Sequence, residues 1–508
     1  MASLAFVALA LALGGFLPLF GGPTYEAALL AGLVTPLPVA LGASLRARSL
    51  GAREAVTRGL GRGLAGALLV LAFATLHGAR VGFCDARSGY LMLALGPCVG
   101  ALVAGAWGAL AGLVAGPRRS AGLAAGLAAL GPLGCVAVSL GRFYSSPMIF
   151  AYDPFVGYFS GTLYDTVIEA SGLVSYRVGS LASVLALVAL APALTRDERG
   201  LRARPGRLGR HRLGLGLAAL AVSLTVTLEG PRLGHWQTAD TIRAALGGVM
   251  TGRRCEVVYA RALDRRGVEL FVAECDAHVE QGARFFGVEP PARVVAFLFE
   301  SEAQKGALMG ASDTYIAKPW RGEVYLQAQG FPHPVLGHEI AHVLAASFGR
   351  GPLRIAGRVG GLLPDPGLIE GVAVAASPHE GTLSPAEWAR AMRELGLLPP
   401  LRTLFGLGFL GQASSTAYTV SGAFVGWVRE THGPHVLRAW YGGASLEALT
   451  GSSWPALEEA WHRHLDTLPL AEAALAQARA RFGRKGMFAR RCPHEVDACR
   501  ERGASLAE

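Results

Sequence analysis

Val335-Leu336-Gly337-His338-Glu339-Ile340-Ala341-His342-Val343-Leu344 is the stretch on which the reading of this 508-residue chain turns. Histidines four positions apart stand one turn apart on the same face of a helix, so the imidazoles of His338 and His342 can converge on one point. Glu339 follows the first histidine and points into the space beside that point. Val335 and Leu336 before the motif, and Val343 and Leu344 after it, make a semi-buried helix over about Pro334–Phe348. Two neutral nitrogen ligands beside a carboxylate that can take a proton from activated water form the pattern of a hydrolytic zinc centre.

A catalytic zinc needs a third protein ligand and an open fourth position. A third histidine in the spacing His-x-x-Gly-x-x-His is missing, because Ala345 and Phe348 stand three and six places after His342. Glu370 lies 28 positions after His342, in Leu368-Ile369-Glu370-Gly371-Val372-Ala373. A carboxylate in the middle of an apolar helical turn must be paired or bind a metal. That selects Glu370.

Outward from the motif toward the N-terminus, the composition changes. Charged residues make up only 17% of the chain, against about 25% in an ordinary soluble domain, and the deficit falls in residues 1–228. Seven stretches approach the roughly 20 apolar residues that cross a bilayer: Ala2–Phe20, Ala27–Ala43, Leu64–Leu76, Tyr90–Ala115, Ala121–Leu140, Leu181–Leu194 and Leu213–Leu228. An α-helical transmembrane bundle of about seven spans is therefore expected there. The first stretch has no basic residue before its apolar run, so it reads as an anchor rather than a cleavable signal.

Arginines cluster in alternate connections: Arg46 to Arg62, Arg118 with Arg119, and Arg196 to Arg212. Arginine-rich loops stay in the cytoplasm, which predicts a cytoplasmic N-terminus and an exported domain after Leu228. Residues 1–228 carry 18 basic and 8 acidic side chains, and the remainder carries 29 of each. The net charge of +10 is thus a topology signal. A nucleic-acid partner is excluded, because the soluble part is neutral. Cys255, Cys275, Cys492 and Cys499 all fall in the part expected to be exported, where oxidation is permitted. Proximity suggests Cys255–Cys275 and Cys492–Cys499, although four unpaired cysteines stay open as the alternative.

The expected domains are residues 1–228 in the membrane, 229–485 as an exported peptidase-like domain, and a tail over 486–508 with a disulfide. In the second, Cys255–Ala260, Val294–Phe299 and Glu323–Gln327 read as strands, and nearly everything after Pro366 reads as helix, which predicts an α+β domain. His333, in Phe331-Pro332-His333-Pro334, reads as a loop histidine, with a place in the cleft as the alternative. The aromatic-rich segment from Arg142 to Ser180, with Asp153, Asp165 and Glu169, reads as an interfacial belt or, more sharply, a lid.

HEIAH, then an E-G-x-A helix, then Ala417-Tyr418-Thr419-Val420-Ser421-Gly422-Ala423-Phe424, His432-Gly433-Pro434 and Trp461, together resemble the gluzincin peptidases, specifically the peptidase MA-like domains. The resemblance covers about Cys255–Leu465. It implies a thermolysin-like fold, zinc held by His338, His342 and Glu370, Glu339 as general base, and peptide or protein substrates. It further implies that Glu323–Gln327 is an edge strand able to pair with an extended peptide. Tyr418, from its place in Ala-Tyr-x-x-Ser-Gly, is implied as a donor to the oxyanion. Family members often carry an aromatic residue after E-G-x-A, where this chain has Val374-Ala375-Ala376; that leaves the shape of the substrate pocket open. From a different class, the alternative is a membrane sensor or transporter-like protein whose exported domain binds a ligand or partner without catalysis. Nothing in the sequence sets an oligomeric state.

Overall fold

The computed structural model describes residues 2–160, 172–197, 200–204, 206, 208–312, 314–377, 383–483 and 486–489. The expected Cys492–Cys499 pair, Asp165 and Glu169 lie outside the described residues. The chain forms two compact units, one containing Met1–Thr241 with Ala307–Gly310, the other Ile242–Gly306 with Ala311–Arg490.

Among the described residues of the first unit six helices are long and apolar enough to cross a membrane: Tyr25–Ala47, Ala52–Val81, Ala86–Ala115, Ala121–Ser145, Leu173–Ala193 and Arg210–Leu228. The expected count is about seven, to within one, and the difference lies at the N-terminus. There the helix is Ala2–Gly14, 13 residues, which rises about 20 Å against a hydrocarbon thickness of about 30 Å. The Gly14-Gly15 pair ends it, and Leu19 beyond has φ of 77°. Polar groups of Ala52–Val81 hold this short helix. Arg62 donates to Ser3 Oγ, His77 Nε2 donates to Ala12 O at 3.1 Å, and Arg80 donates to Gly15 O at 2.8 Å.

The sixth expected span, Leu181–Leu194, in fact begins at Leu173. Arg177 hides its first two turns from a hydropathy reading. The arginine is buried, donating to Pro154 O at 2.8 Å and Gly96 O at 3.0 Å, and also to Leu95 O. Leu95 and Gly96 lie in a widened turn at Ala94–Cys98 that also holds Pro97. The described part of the segment expected as a belt or lid folds inward instead. Phe150–Asp153 and Gly157–Ser160 form a hairpin whose Phe150, Tyr152 and Tyr158 pack with Tyr25 and Tyr176.

The second unit is built on a mixed sheet of β1 (Gly247–Thr251), β2 (Cys255–Ala260), β3 (Val294–Phe299), β4 (Ile316–Lys318) and β5 (Glu323–Gln327). The spatial order is β1-β2-β3-β5-β4; β2, β3 and β5 run parallel, and the two outer strands antiparallel. The unbroken Val-Val-Ala-Phe-Leu-Phe of β3 suits a central strand covered on both faces. Helix α1 (Arg265–Phe286) buries Val268, Phe271, Val272, Cys275, Val279, Ala283 and Phe286, the spacing of one helical face. Asp264 caps its start by accepting from Gly267 N at 3.0 Å.

Here the structure overturns the expected edge strand. Glu323–Gln327 lies between β3 and β4, and the edge is Ile316–Lys318, with Ile316, Ala317 and Lys318 opposite Tyr325, Val324 and Glu323. Three residues that run straight into the Pro319–Arg321 turn are too few to show alternation.

Two devices fasten β2 to α1. Cys255 and Cys275 are disulfide-bonded, with Cα atoms 6.1 Å apart. Beside them the Asp276 carboxylate accepts from the backbone N–H of Arg253, Arg254 and Cys255 at 2.7, 2.8 and 2.9 Å. A loop of this length should contribute about 3 kcal/mol when cross-linked. Replacing Cys255 and Cys275 together by serine should therefore lower the unfolding free energy of the second unit by about that amount, read from the denaturation midpoint of the full chain in detergent. An unchanged midpoint would mean that the Asp276 hydrogen bonds hold the pair unaided.

Candidate metal centre

Three helices bring the site together: α2 (Leu336–Ala345), α3 (Pro366–Ala376) and α4 (Ser414–His432). The motif helix α2 is nearly all buried, with Leu336, Ile340, Leu344 and Ala345 fully inside. It rests on α1 at Gly282, where an added Cβ would lie 2.4 Å from Leu344 Cδ1. A second glycine keeps α3 close to α4. A Cβ on Gly371 would come within 2.8 Å of Val425 Cγ2 and 3.0 Å of Ser421 O. Gly422 answers from the other side, where a Cβ would meet Val374 Cγ1 at 2.2 Å. The glycines of Glu370-Gly371 and Ser421-Gly422 thus act in packing, and they set where Glu370 stands.

The start of α3 is also built for that placement. Asp365 accepts from Leu368 N at 3.2 Å, and Pro366 supplies the preset φ of a first helical residue. Glu370 then reaches the two histidines. His338 Nε2 lies 3.2 Å from Glu370 Oε2 and 3.2 Å from His342 Nε2, and His342 Nε2 lies 3.4 Å from the same carboxylate oxygen. The three form a group able to hold a metal ion. Their side chains are 13%, 9% and 21% exposed for His338, His342 and Glu370, so the cluster is sheltered but open on the Glu370 side.

The two carboxylates respond to burial in opposite ways. Burial by itself would raise Glu370, but His342 and His338 outweigh it and hold the carboxyl well below the usual range. Burial pushes Glu339 up to about 7, with Glu370 adding to the effect and His338 and Lys305 opposing it. One acid is thereby fixed as an anion among the histidines, and its neighbour is poised near neutrality.

Tyr418 sits on α4, in its second turn. Its ring lies parallel to His338, centroids 6.2 Å apart and 21° between planes, with Phe409 at 5.6 Å. All five residues singled out from the sequence, His338, Glu339, His342, Glu370 and Tyr418, therefore occupy this one neighbourhood.

His333 is a structural residue. It is buried, its Nε2 donates to Gln327 O at 3.0 Å, and its Nδ1 accepts from Val335 N at 3.4 Å. Its own N–H donates to Glu274 Oε1 at 2.8 Å, and its ring meets Phe271 and Tyr315 edge-on. Burial lowers its pKa, which favours the neutral ring this bonding needs. The imidazole joins the end of β5 to the start of α2 and so fixes the motif helix on the sheet. Lys305 escaped the sequence reading. It is 1% exposed, donating to Thr314 O at 2.9 Å and to Gln327 Oε1, with its charge felt at Glu339. In Glu302-Ala303-Gln304-Lys305 nothing distinguishes it from a solvated lysine.

Substituting His333→Ala leaves a buried carbonyl and a buried N–H without their partner, at about 1–3 kcal/mol for each stranded group. The expected result is a lower thermal midpoint of the full chain, with metal bound per folded molecule unchanged. Loss of metal at an unchanged midpoint would contradict the structural assignment.

No protein-family model matches this chain and no curated protein matches it in sequence, so the site is argued from its own residues and geometry.

Proposed function

We propose that the second unit is a zinc-dependent peptidase and that the helices of the first unit anchor it in a membrane. The observation that carries this reading is the triangle of His338 Nε2, His342 Nε2 and Glu370 Oε2, with edges of 3.2, 3.2 and 3.4 Å. Ligands about 2.0–2.1 Å from a tetrahedral ion stand about 3.3–3.4 Å apart. Two neutral imidazoles and one carboxylate are the donor set of catalytic zinc, and three protein ligands leave one position open. Bound there, zinc would supply a water of lowered pKa and polarise a substrate carbonyl.

The chain's own residues then divide the work. Glu339 accepts the proton of the attacking water and delivers it to the leaving amine, a role suited to a carboxyl near neutrality. Tyr418, lying against His338, donates its hydroxyl to the carbonyl oxygen as charge develops there. An extended peptide pairs with β4, the edge strand next to β5, in place of the strand first expected to do so. The thermolysin-like assignment rests on this set of parts together: an antiparallel edge strand, the motif helix, and a glutamate from the next helix.

Orientation follows from the charges and the thiols. The arginine-rich connections lie on the cytoplasmic side. Cys84, in the connection after Ala52–Val81, is disulfide-bonded, as are Cys255 and Cys275, which assigns them to the oxidising side. Cys98 and Cys135, within membrane helices, are free. With six crossings the start of Tyr25–Ala47 would face the same side as the second unit.

The test is a comparison of purified full-length variants. Glu339→Gln should retain one metal per chain and lose peptide cleavage by about 10²–10⁴-fold. Tyr418→Phe should lower kcat by about 10²-fold with little change in KM or metal content. Wild type and Glu339→Gln binding metal alike, with no cleavage by either, would favour a binding domain without catalysis.

A further inference from the structure

Between the motif helix and the Glu370 helix lies a segment that the metal centre does not use. Strands β6 (Gly357–Arg358) and β7 (Leu363–Pro364) pair as a hairpin. At its tip Val359 is 69% exposed, Leu362 66% and Leu363 54%, and Leu407 on the neighbouring turn is 71%. Arg358 ties that turn to the hairpin by donating to Phe405 O at 3.5 Å. Large aliphatic side chains this exposed, and gathered in one place, mark an interaction surface.

The tip is held firmly and at a cost. Gly361 N bonds Arg358 O at 3.1 Å and closes a turn in which Val359, Gly360 and Gly361 have φ of 51°, 65° and 83°. Left-handed positions in hairpin turns belong to glycine and asparagine, and a β-branched residue there is strained. Val359 recovers nothing from packing inside the chain, because most of it is in solvent. The loop before the hairpin braces it: a Cβ on Gly351 would lie 2.5 Å from Gly360 O, and one on Gly361 2.5 Å from Arg350 O. A strained apolar side chain, held outward on a braced tip, is explained by a contact with something outside the chain.

The charges identify that contact. Residues 346–364 contain Arg350, Arg354 and Arg358 and no acidic residue, and residues 396–412 contain only Arg402. All four arginines are exposed. This local positive excess stands in a part of the sequence, residues 229–508, whose basic and acidic residues balance as a whole. Exposed aliphatic side chains on a hairpin tip, with exposed arginines on the same segments, match the boundary of an anionic bilayer, where acyl chains lie beneath phosphate groups. A chain that carries membrane-spanning helices also meets that surface at high effective concentration.

We propose that Val359, Leu362, Leu363 and Leu407 form an interfacial anchor that enters the headgroup region of an anionic phospholipid leaflet, with Arg350, Arg354, Arg358 and Arg402 binding lipid phosphates. This is independent of whether the metal centre hydrolyses peptides. The test places the full chain, with every cysteine outside its disulfides, Cys98 and Cys135 included, changed to alanine, in nanodiscs of phosphatidylglycerol or phosphatidylcholine. A fluorophore is attached at Leu362→Cys or, as a control, at Val249→Cys, an exposed position on β1. In phosphatidylglycerol, nitroxide on the lipid acyl chains should quench the Leu362→Cys label about threefold more than the control label. Changing Arg350, Arg354 and Arg358 to glutamine should remove most of that difference, as should phosphatidylcholine. Equal quenching at the two positions, or quenching of Leu362→Cys only by aqueous iodide, overturns the proposal. Shielding from iodide that arises only on adding excess peptide would assign the tip to substrate, and it overturns the lipid anchor equally.

Discussion

Glu370 is a carboxylate taken out of most of its water and set 3.2–3.4 Å from two imidazole nitrogens. The desolvation of such a group must be offset locally, because an unpaired buried charge is far too costly to keep. The histidines do so in part, which is why the carboxyl is held ionised despite its burial. Two imidazole nitrogens facing each other and one carboxylate oxygen leave more acceptor character than hydrogen bonds alone can satisfy. A cation at the centre of the triangle satisfies all three.

Keeping these atoms in register falls to the scaffold. Three separate elements must meet to within a few tenths of an ångström, and close approach is bought by glycine wherever two helices touch. Gly282 lets α1 under Leu344, while Gly371 and Gly422 let α3 and α4 interlock. His333 fixes α2 to β5, and the disulfide with the Asp276 clamp fixes α1 to β2. None of these groups belongs to the cluster, yet loosening any of them shifts His338, His342 or Glu370. A loss of about 1 Å in positioning is enough to cost a hydrolytic site much of its rate.

Much of the site was legible in sequence because its chemistry is local. His338, Glu339 and His342 lie within one helical turn, and Glu370 stood out as a charge in an apolar context. Features that depend on distant partners were not legible. The edge strand Ile316–Lys318 exists only through its pairing with Tyr325, Val324 and Glu323. Lys305 reads as a surface residue until Gln327 and Thr314 are placed around it. The same cause displaced the membrane boundaries. Arg177 is tolerated inside a helix because Leu95, Gly96 and Pro154 present their carbonyls to it. The first apolar stretch fell short of a span because glycine ended its helix.

Most of what is inferred about the chain's chemistry depends on which ion the triangle holds and how. X-ray absorption at the zinc edge, on the purified full-length protein, addresses this most directly. The account expects four light-atom ligands at about 2.0–2.1 Å, with imidazole scattering from two histidines and no sulfur. A shell containing sulfur at about 2.3 Å, or a protein that takes up no zinc when it is supplied, would contradict it.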